Sequence, residues 1–463
     1  MDELLNGPVA AMATAVRNRQ IKSGDLVRAF LDRIEKVNPA LNAVVCSTAD
    51  LAIKYAAKLD SELANGQVRG PLHGVPMTIK DSLDTAEAVT TWGTTGRKDF
   101  RPGGDATCVA RLRKAGAILM GKTNTPEFTL SFQTDNLVYG RTNNPFDPER
   151  TPGGSSGGAA AIIAAGASPF DIGTDTGGSI RLPSHFCGIT GIKPTTGRVP
   201  CTGNALPSTG LMAPLSQPGP IARYVEDLAL LLPIISGPDL IDPHAVEAPW
   251  HDPADVDVSS LRIGYHVDNG IKKPDADICA AITAAAQRLQ DAGMAVSETR
   301  PSGIEMAGFI FSRVFSADGG EMIEALLEDS HTTTPSPRIQ AGLDRPALTI
   351  SQKEFAQTLN LWDNYRSTML SWFNDFDVLL CPVNAHTAIP HGSDEDLAAY
   401  SYTMAFNLTG WPGVVIRGGT DGGGLPIGLQ IVSRPFREDH CLAVAAWLEQ
   451  RMGEFSRPAI SAT

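Results

Sequence analysis

The stretch RTPGGSSGGAAAIIAAG, residues 150–166, and DIGTDTGGSIR, residues 171–181, together decide how this chain reads. The first opens with two glycine pairs flanking Ser155 and Ser156. It then runs into GAAAIIAAGA, which has no polar face, and this predicts a buried helix. FDIGT after it predicts a buried strand, and a second glycine-serine turn closes the unit. A lone glycine-serine loop is an ordinary connector. Here both loops are short and each is followed by apolar structure, which points to a site. In the second, successive glycines can turn the backbone N–H groups of Thr176, Gly177, Gly178 and Ser179 toward one negative oxygen.

Outward from this centre, short apolar runs alternate with helical ones. GVPMTIK, AILMG, FDVLLCPV, PGVVIRGG and PIGLQIVSRP predict strands, and TCVARLRKAG and CLAVAAWLEQRMG predict helices. Near-continuous apolar strands alternating with helices indicate an α/β core. The first 66 residues predict two helices around a short strand, LNAVVC. The first helix has Ser23 as N-cap and Pro39 as its stop, and the second is closed by Gly66. Residues 218–238 predict a helix and RIGYHVD a strand. Residues 275–375 read mostly helical and carry Phe309, Phe311, Phe315, Trp362, Tyr365 and Trp372. Pocket lining and plain helix core are equal readings of those aromatics.

The 463 residues allow about three domains at ~150 residues each, but no linker divides them. One large domain is expected: N-terminal helices over 8–66, a core over 67–238, a variable helical region over 239–375, and closing strands and a helix over 376–453. A net charge of −13 without a basic cluster argues against nucleic-acid binding. Seven widely spaced cysteines without a Cys-x-x-Cys pair fit reduced thiols. The start MDELLNG has no signal-peptide pattern, and the most apolar windows are shorter than the ~20 residues of a membrane span. A cytoplasmic protein is expected.

Two motif matches fail on context. GAILMGKT, residues 116–123, fits the P-loop spacing, but its middle residues are themselves the strand and a helix precedes it. Lys122 then reads as a strand-end residue. GGSSG, residues 153–157, fits the nucleophile elbow of α/β-hydrolases, but TNNPFDPERTP ahead of it is all turn formers, not a strand. A serine nucleophile still needs a base. A lysine serves if burial lowers its pKa: at ~10.4 about one in a few thousand is neutral at pH 7, at ~8 roughly a tenth. Lys80 ends an apolar strand, but spacing alone does not single it out.

PLHGVPMTIKD (71–81), GAILMGKTNTPEF (116–128), NNPFDPERTPGGSSGGAAAIIAAG (143–166) and DIGTDTGGSIRLPSHFCGITGIKPTTGRV (171–199) resemble the amidase signature family. So do the closing segments FDVLLCPV, FNLTGWPGVV and GLPIGLQIV. Residues 239–375 carry no usable match. The resemblance implies an α/β fold with a large twisted mixed sheet covered on both faces by helices. It implies a Ser–cis-Ser–Lys triad with Lys80 as base, Ser155 as bridging serine and Ser179 as nucleophile. Thr176, Gly177 and Gly178 then form the oxyanion hole, and Asp175 and Arg181 support the loop. Ser156 and Cys187 are expected to be structural, His73 and His185 to line the site at most, and Asp81 and Asp84 to be surface residues or local hydrogen bonders. No cofactor and no metal are implied. The partners expected are a small amide or carbamate and water, with a homodimer as a further expectation. Two alternatives stay open. One is an esterase of the α/β-hydrolase type. The other is the A subunit of a glutamyl-tRNA amidotransferase, in which an acidic residue precedes the NLTG-like segment; here Tyr400 stands near that place.

Overall fold

The computed structural model describes residues 1–344, 350–394, 396–453 and 455–462. Eleven strands form two sheets among these residues. Strands β1 (Val44–Ser47), β2 (Pro76–Lys80) and β3 (Ile118–Thr123) make a small sheet in the order β1-β3-β2. Strands β4 (Phe170–Asp175), β5 (Thr190–Lys193), β6 (Gln217–Ala222), β7 (Arg262–Tyr265), β8 (Ala295–Glu298), β9 (Val378–Pro382), β10 (Gly413–Thr420) and β11 (Pro426–Ser433) make a large one. Its order is β4-β6-β5-β10-β11-β9-β7-β8. Strand β7 runs parallel to β8 and β9, and the other pairs are antiparallel, so the sheet is mixed.

Every residue of β2, β4, β6, β9 and β11 is buried. A strand buried at each position has both faces covered, which is why β9 and β11 read as near-continuous apolar runs. The helix Gly157–Ala164 is also buried throughout. Its small residues let its backbone press onto the end of β3: a Cβ on Gly158 would lie 2.4 Å from the Asn124 nitrogen. The small sheet is joined to β4 by polar contacts. Asp171 accepts hydrogen bonds from Thr78 (2.7 Å) and Thr123 (3.0 Å), and burial raises its pKa to about 6. That joint brings the ends of β2 and β4 together.

Several local expectations are corrected. Residues 218–222 belong to β6, and the helix there runs only from Val225 to Ile235. Gln-Pro-Gly-Pro has no strand propensity, and pairing with β4 along the whole of β6 overrides it. Strand β5 meets β6 only at Ile221 and Ala222, so the prolines lie beyond that ladder. The first long helix runs from Ser23 to Leu41, past Pro39, and ends at Asn42 with φ 50°. The Asn38 side chain takes the N–H groups of Ala43 and Val44 and so turns the chain after that helix. Ser23 is inside the helix and does not cap it.

In the 275–375 region the longest helix, Gln352–Ser371, starts at a capping box of Ser351 and Glu354. Trp362, Tyr365 and Trp372 are buried with Phe406 and Trp411 in one apolar cluster. The Trp362 indole N–H donates to the Leu408 carbonyl at 2.8 Å, which fixes this helix on the Ser401–Leu408 helix. No helix among the described residues is long and apolar enough to cross a membrane.

Candidate active site

Strand β2 ends at Lys80, whose side chain is fully buried. Its Nζ lies 2.6 Å from Ser155 Oγ, 3.0 Å from Ser156 Oγ and 2.9 Å from Thr174 Oγ1. Burial pushes the amine well below the ordinary lysine pKa, against the raising effect of Asp175 and Asp171. With no carboxylate among its three partners, the neutral amine is the form this pocket favours. A neutral amine donates twice and accepts once, so it can hold Ser156 and Thr174 and take the proton of Ser155. The peptide bond between Gly154 and Ser155 is cis. Ser156 also anchors the loop, because its backbone N–H donates to the Ser179 carbonyl at 3.1 Å.

Ser179 follows the end of β4 on a turn held by one carboxylate. Asp175 accepts from the backbone N–H groups of Gly178 (2.9 Å), Ile180 (3.1 Å) and Arg181 (3.4 Å). It also takes a two-pronged contact from the Arg181 guanidinium at 3.0 and 2.9 Å. Burial alone would raise the Asp175 pKa, but Arg181 and the hydrogen bonds hold it well below the usual carboxylate range. The remaining Arg181 donors reach Gln430 (2.7 Å) and Asn407 (2.6 Å), and Asn407 in turn donates to Asp175 at 2.9 Å. Gly178 sits at φ 134°, a region open to glycine, and a Cβ there would lie 2.4 Å from Thr403 Oγ1. The Thr403 hydroxyl donates to the Gly177 carbonyl at 2.7 Å.

The Gly178 N–H is thus turned inward to Asp175. Among the described residues, the N–H groups of Thr176, Gly177 and Ser179 have no protein acceptor. The Ser179 hydroxyl opens onto the cleft and makes no hydrogen bond to Ser155 among the described residues. Lys80, Ser155, Ser156 and Thr174 form one hydrogen-bonded group. Ser179 joins it through the backbone.

A cleft of about 1220 Å³ opens over Thr176, Gly177 and Ser179. Phe311 and Phe315 from the variable region line it, with Phe132, Leu130, Ile323, Ile339 and Met404. The Phe311 and Phe132 rings stand 3.3 and 3.4 Å from where a Cβ on Gly177 would be, so they face the loop across the space a side chain there would fill. Phe132 stacks on Tyr400 with centroids 4.0 Å apart. The aromatics of the 275–375 region therefore divide: Phe311 and Phe315 line the cleft, Trp362, Tyr365 and Trp372 are core, and Phe309 is exposed.

The other singled-out residues are structural. Asp81 is fully buried and not on the surface; it accepts from the Thr91 N–H and hydroxyl and lies 4.0 Å from buried Lys122. Asp84 accepts from Arg97 and Trp92. Buried Lys122 donates to Leu83, Thr85 and Thr90 at the end of β3, so its amine is committed to the fold. His185 is locked between the Gly428 N–H (2.6 Å) and the His386 carbonyl (3.0 Å), His73 between the Arg69 N–H and the Leu59 carbonyl, and Cys187 is core. Sequence reasoning did not single out Thr174, Asn407, Gln430 or Thr403. Asn407 and Gln430 lie in FNLTG and GLQIV, segments that resemblance had marked without giving them a role.

Residues 25–442 match a family model described as Amidase. The chain is 35% identical to an indoleacetamide hydrolase of Bradyrhizobium diazoefficiens, over 95% of this chain and 86% of that protein. It is 33% identical to the A subunit of a glutamyl-tRNA(Gln) amidotransferase from Carboxydothermus hydrogenoformans, over 94% of this chain and 95% of that protein. The solved structure of a 6-aminohexanoate cyclic dimer hydrolase complexed with substrate matches with a TM-score of 0.88 at 29% identity, covering 99% of each chain.

Proposed function

The chain belongs to the amidase family and has the amidase signature fold, and on that basis we propose that it hydrolyses the C–N bond of small, rather apolar amides, anilides or carbamates. The observation that carries this reading is the buried Lys80 amine, 2.6 Å from Ser155 Oγ and beside a nucleophile turn that opens on an aromatic-lined cleft. Neutral Lys80 takes the proton of Ser155, Ser155 takes that of Ser179, and Ser179 Oγ attacks the carbonyl carbon. The Ser155–Ser179 contact closes in the substrate complex, as catalytic hydrogen bonds commonly tighten there. The N–H groups of Thr176, Gly177 and Ser179 receive the oxyanion. The Gly178 N–H is committed to Asp175, so its part is to hold the turn.

The relay then returns a proton to the leaving nitrogen, which departs as a neutral amine while Ser179 stays acylated. Water, deprotonated through the same path, attacks the ester and frees the acid. Amide hydrolysis supports this assignment among relatives, including the one named indoleacetamide hydrolase. The rings of Phe132, Phe311 and Phe315 favour apolar or aromatic substrates.

A second reading, the A subunit of a glutamyl-tRNA amidotransferase, is favoured by relatives of that name at 33% identity. Tyr400, stacked on Phe132 near the place where that reading expects a carboxylate, supports the first. The test is release of nitroaniline by the purified chain. Ser179→Ala should abolish it, and unchanged activity in that variant sinks the assignment. Activity that requires glutamine and a copurifying partner would establish the second reading instead.

A further inference from the structure

The helix Ala307–Phe315 turns one face to the cleft, presenting Gly308, Phe311, Ser312 and Phe315. The tip of Phe311 faces the turn that carries Ser179, and Gly308 precedes Phe311 by three residues on the same helix, about 4.5 Å along the axis. Gly308 is the second residue of that helix, in its first turn. Nothing in the fold requires a glycine here. The backbone is ordinary right-handed helix, and a Cβ on Gly308 would meet no heavy atom within 4 Å. At Gly264, by contrast, a Cβ would lie 2.3 Å from the Trp372 ring. A second helix, Pro337–Leu343, puts Gly342 on the same cleft, and its nearest neighbour would be Ile323 Cδ1 at 4.0 Å. Phe315, Ile323 and Ile339 line the same cleft, beside Ser312 and Ser316.

We propose that Gly308 is a specificity-determining residue: the gap it leaves in the cleft wall receives the far end of the substrate's longer apolar arm. The inference rests on the amide-hydrolase reading of the same cleft. An acetyl-sized group stops at Phe311 and does not reach the gap. An alkyl chain or an aryl ring on a short tether passes Phe311 and buries its end against Phe315 and Ile323.

The test uses the full chain and its Gly308→Leu variant. Two substrate series are run: nitroanilides of acids from acetic to octanoic, and acetamides with N-alkyl groups from methyl to octyl. Leucine is a good helix former, so the melting temperature should hold or rise. In the series whose varied arm enters the gap, kcat/KM for the longest member should fall about 15- to 50-fold, mainly through KM. That is the loss expected when two or three methylenes are no longer buried. The shortest member should change less than about twofold. Equal loss at every length in both series, no loss in either, or a fall in melting temperature overturns the proposal. Should the wild type cleave no amide, the amide-hydrolase reading fails, and calorimetric binding of octanamide decides the gap separately. Weaker binding to Gly308→Leu by a similar factor supports it, and equal binding overturns it.

Discussion

Replacing Arg181 by Met keeps the length of the side chain and removes its charge. The guanidinium is fully buried and satisfies three partners at once: Asp175 with two bonds, and Gln430 and Asn407 with one each. Without it, Asp175 is a buried carboxylate held only by three backbone N–H groups and Asn407. Breaking a buried pair by removing one partner costs about 3–5 kcal/mol, because the other charge is left uncompensated. The loss should be visible as a shifted urea midpoint with an unchanged slope.

The pH dependence gives a second signature. In the wild type the folded Asp175 pKa is depressed, so its contribution is present above ~3.9 and is lost as pH falls. In Arg181→Met the largest opposing influence on burial is gone, and the folded pKa rises from that depressed position. The stability lost relative to wild type should therefore be full above ~3.9 and shrink as pH falls below it. Without the guanidinium fork Asp175 is also held less firmly beneath the Gly178 and Ile180 amides. The Ser179 turn shifts, and a misplacement of about 1 Å can cost roughly 100-fold in rate. Single-turnover release of nitroaniline measures that step directly. Arg181→Lys keeps the charge without the planar fork and should fall between the two. A variant Arg181→Met that loses less than about 1 kcal/mol and keeps its rate within about threefold would refute the idea that this pair positions the nucleophile.

Three further outcomes follow from the same geometry. Gly178→Ala puts a methyl 2.4 Å from Thr403 Oγ1 at φ 134°; it should cost about 1–3 kcal/mol and some 100-fold in kcat/KM, and adding Thr403→Ala should recover only the part due to the clash. Because burial lowers the Lys80 pKa, kcat/KM should rise with pH through an apparent pKa well below ~10.4, and Lys80→Met should abolish activity; a limb at the ordinary lysine value would contradict the neutral base. Buried His185 has its pKa lowered to about 4, so its contribution to stability, about 3 kcal/mol, is present above ~6.5 and lost as pH falls toward 4; His185→Gln should flatten urea midpoints measured across that range.

Local pattern determined a good deal about this protein. Short, largely apolar runs bounded by turn formers marked β2, β3, β4, β9, β10 and β11 as strands. The all-small, all-apolar stretch after Ser156 marked a buried helix. Motif resemblance singled out Lys80, Ser155, Asp175, Ser179 and Arg181, and folding brings Lys80 Nζ to Ser155 Oγ across 75 positions of sequence.

The remainder depends on partners far away in the chain. Gln217–Ala222 is a strand because β4 pairs with it, against its own propensity. Asn407 and Gln430 reach Arg181 across 226 and 249 residues, a distance no local period encodes. Which glycine amide stays free is set by where the Asp175 carboxylate points, and which aromatics face the cleft is set by how the helix Ala307–Phe315 is rotated against the core. Sequence period tells a side chain to leave water. The packed neighbour it meets there determines whether it becomes core, support or wall of the site.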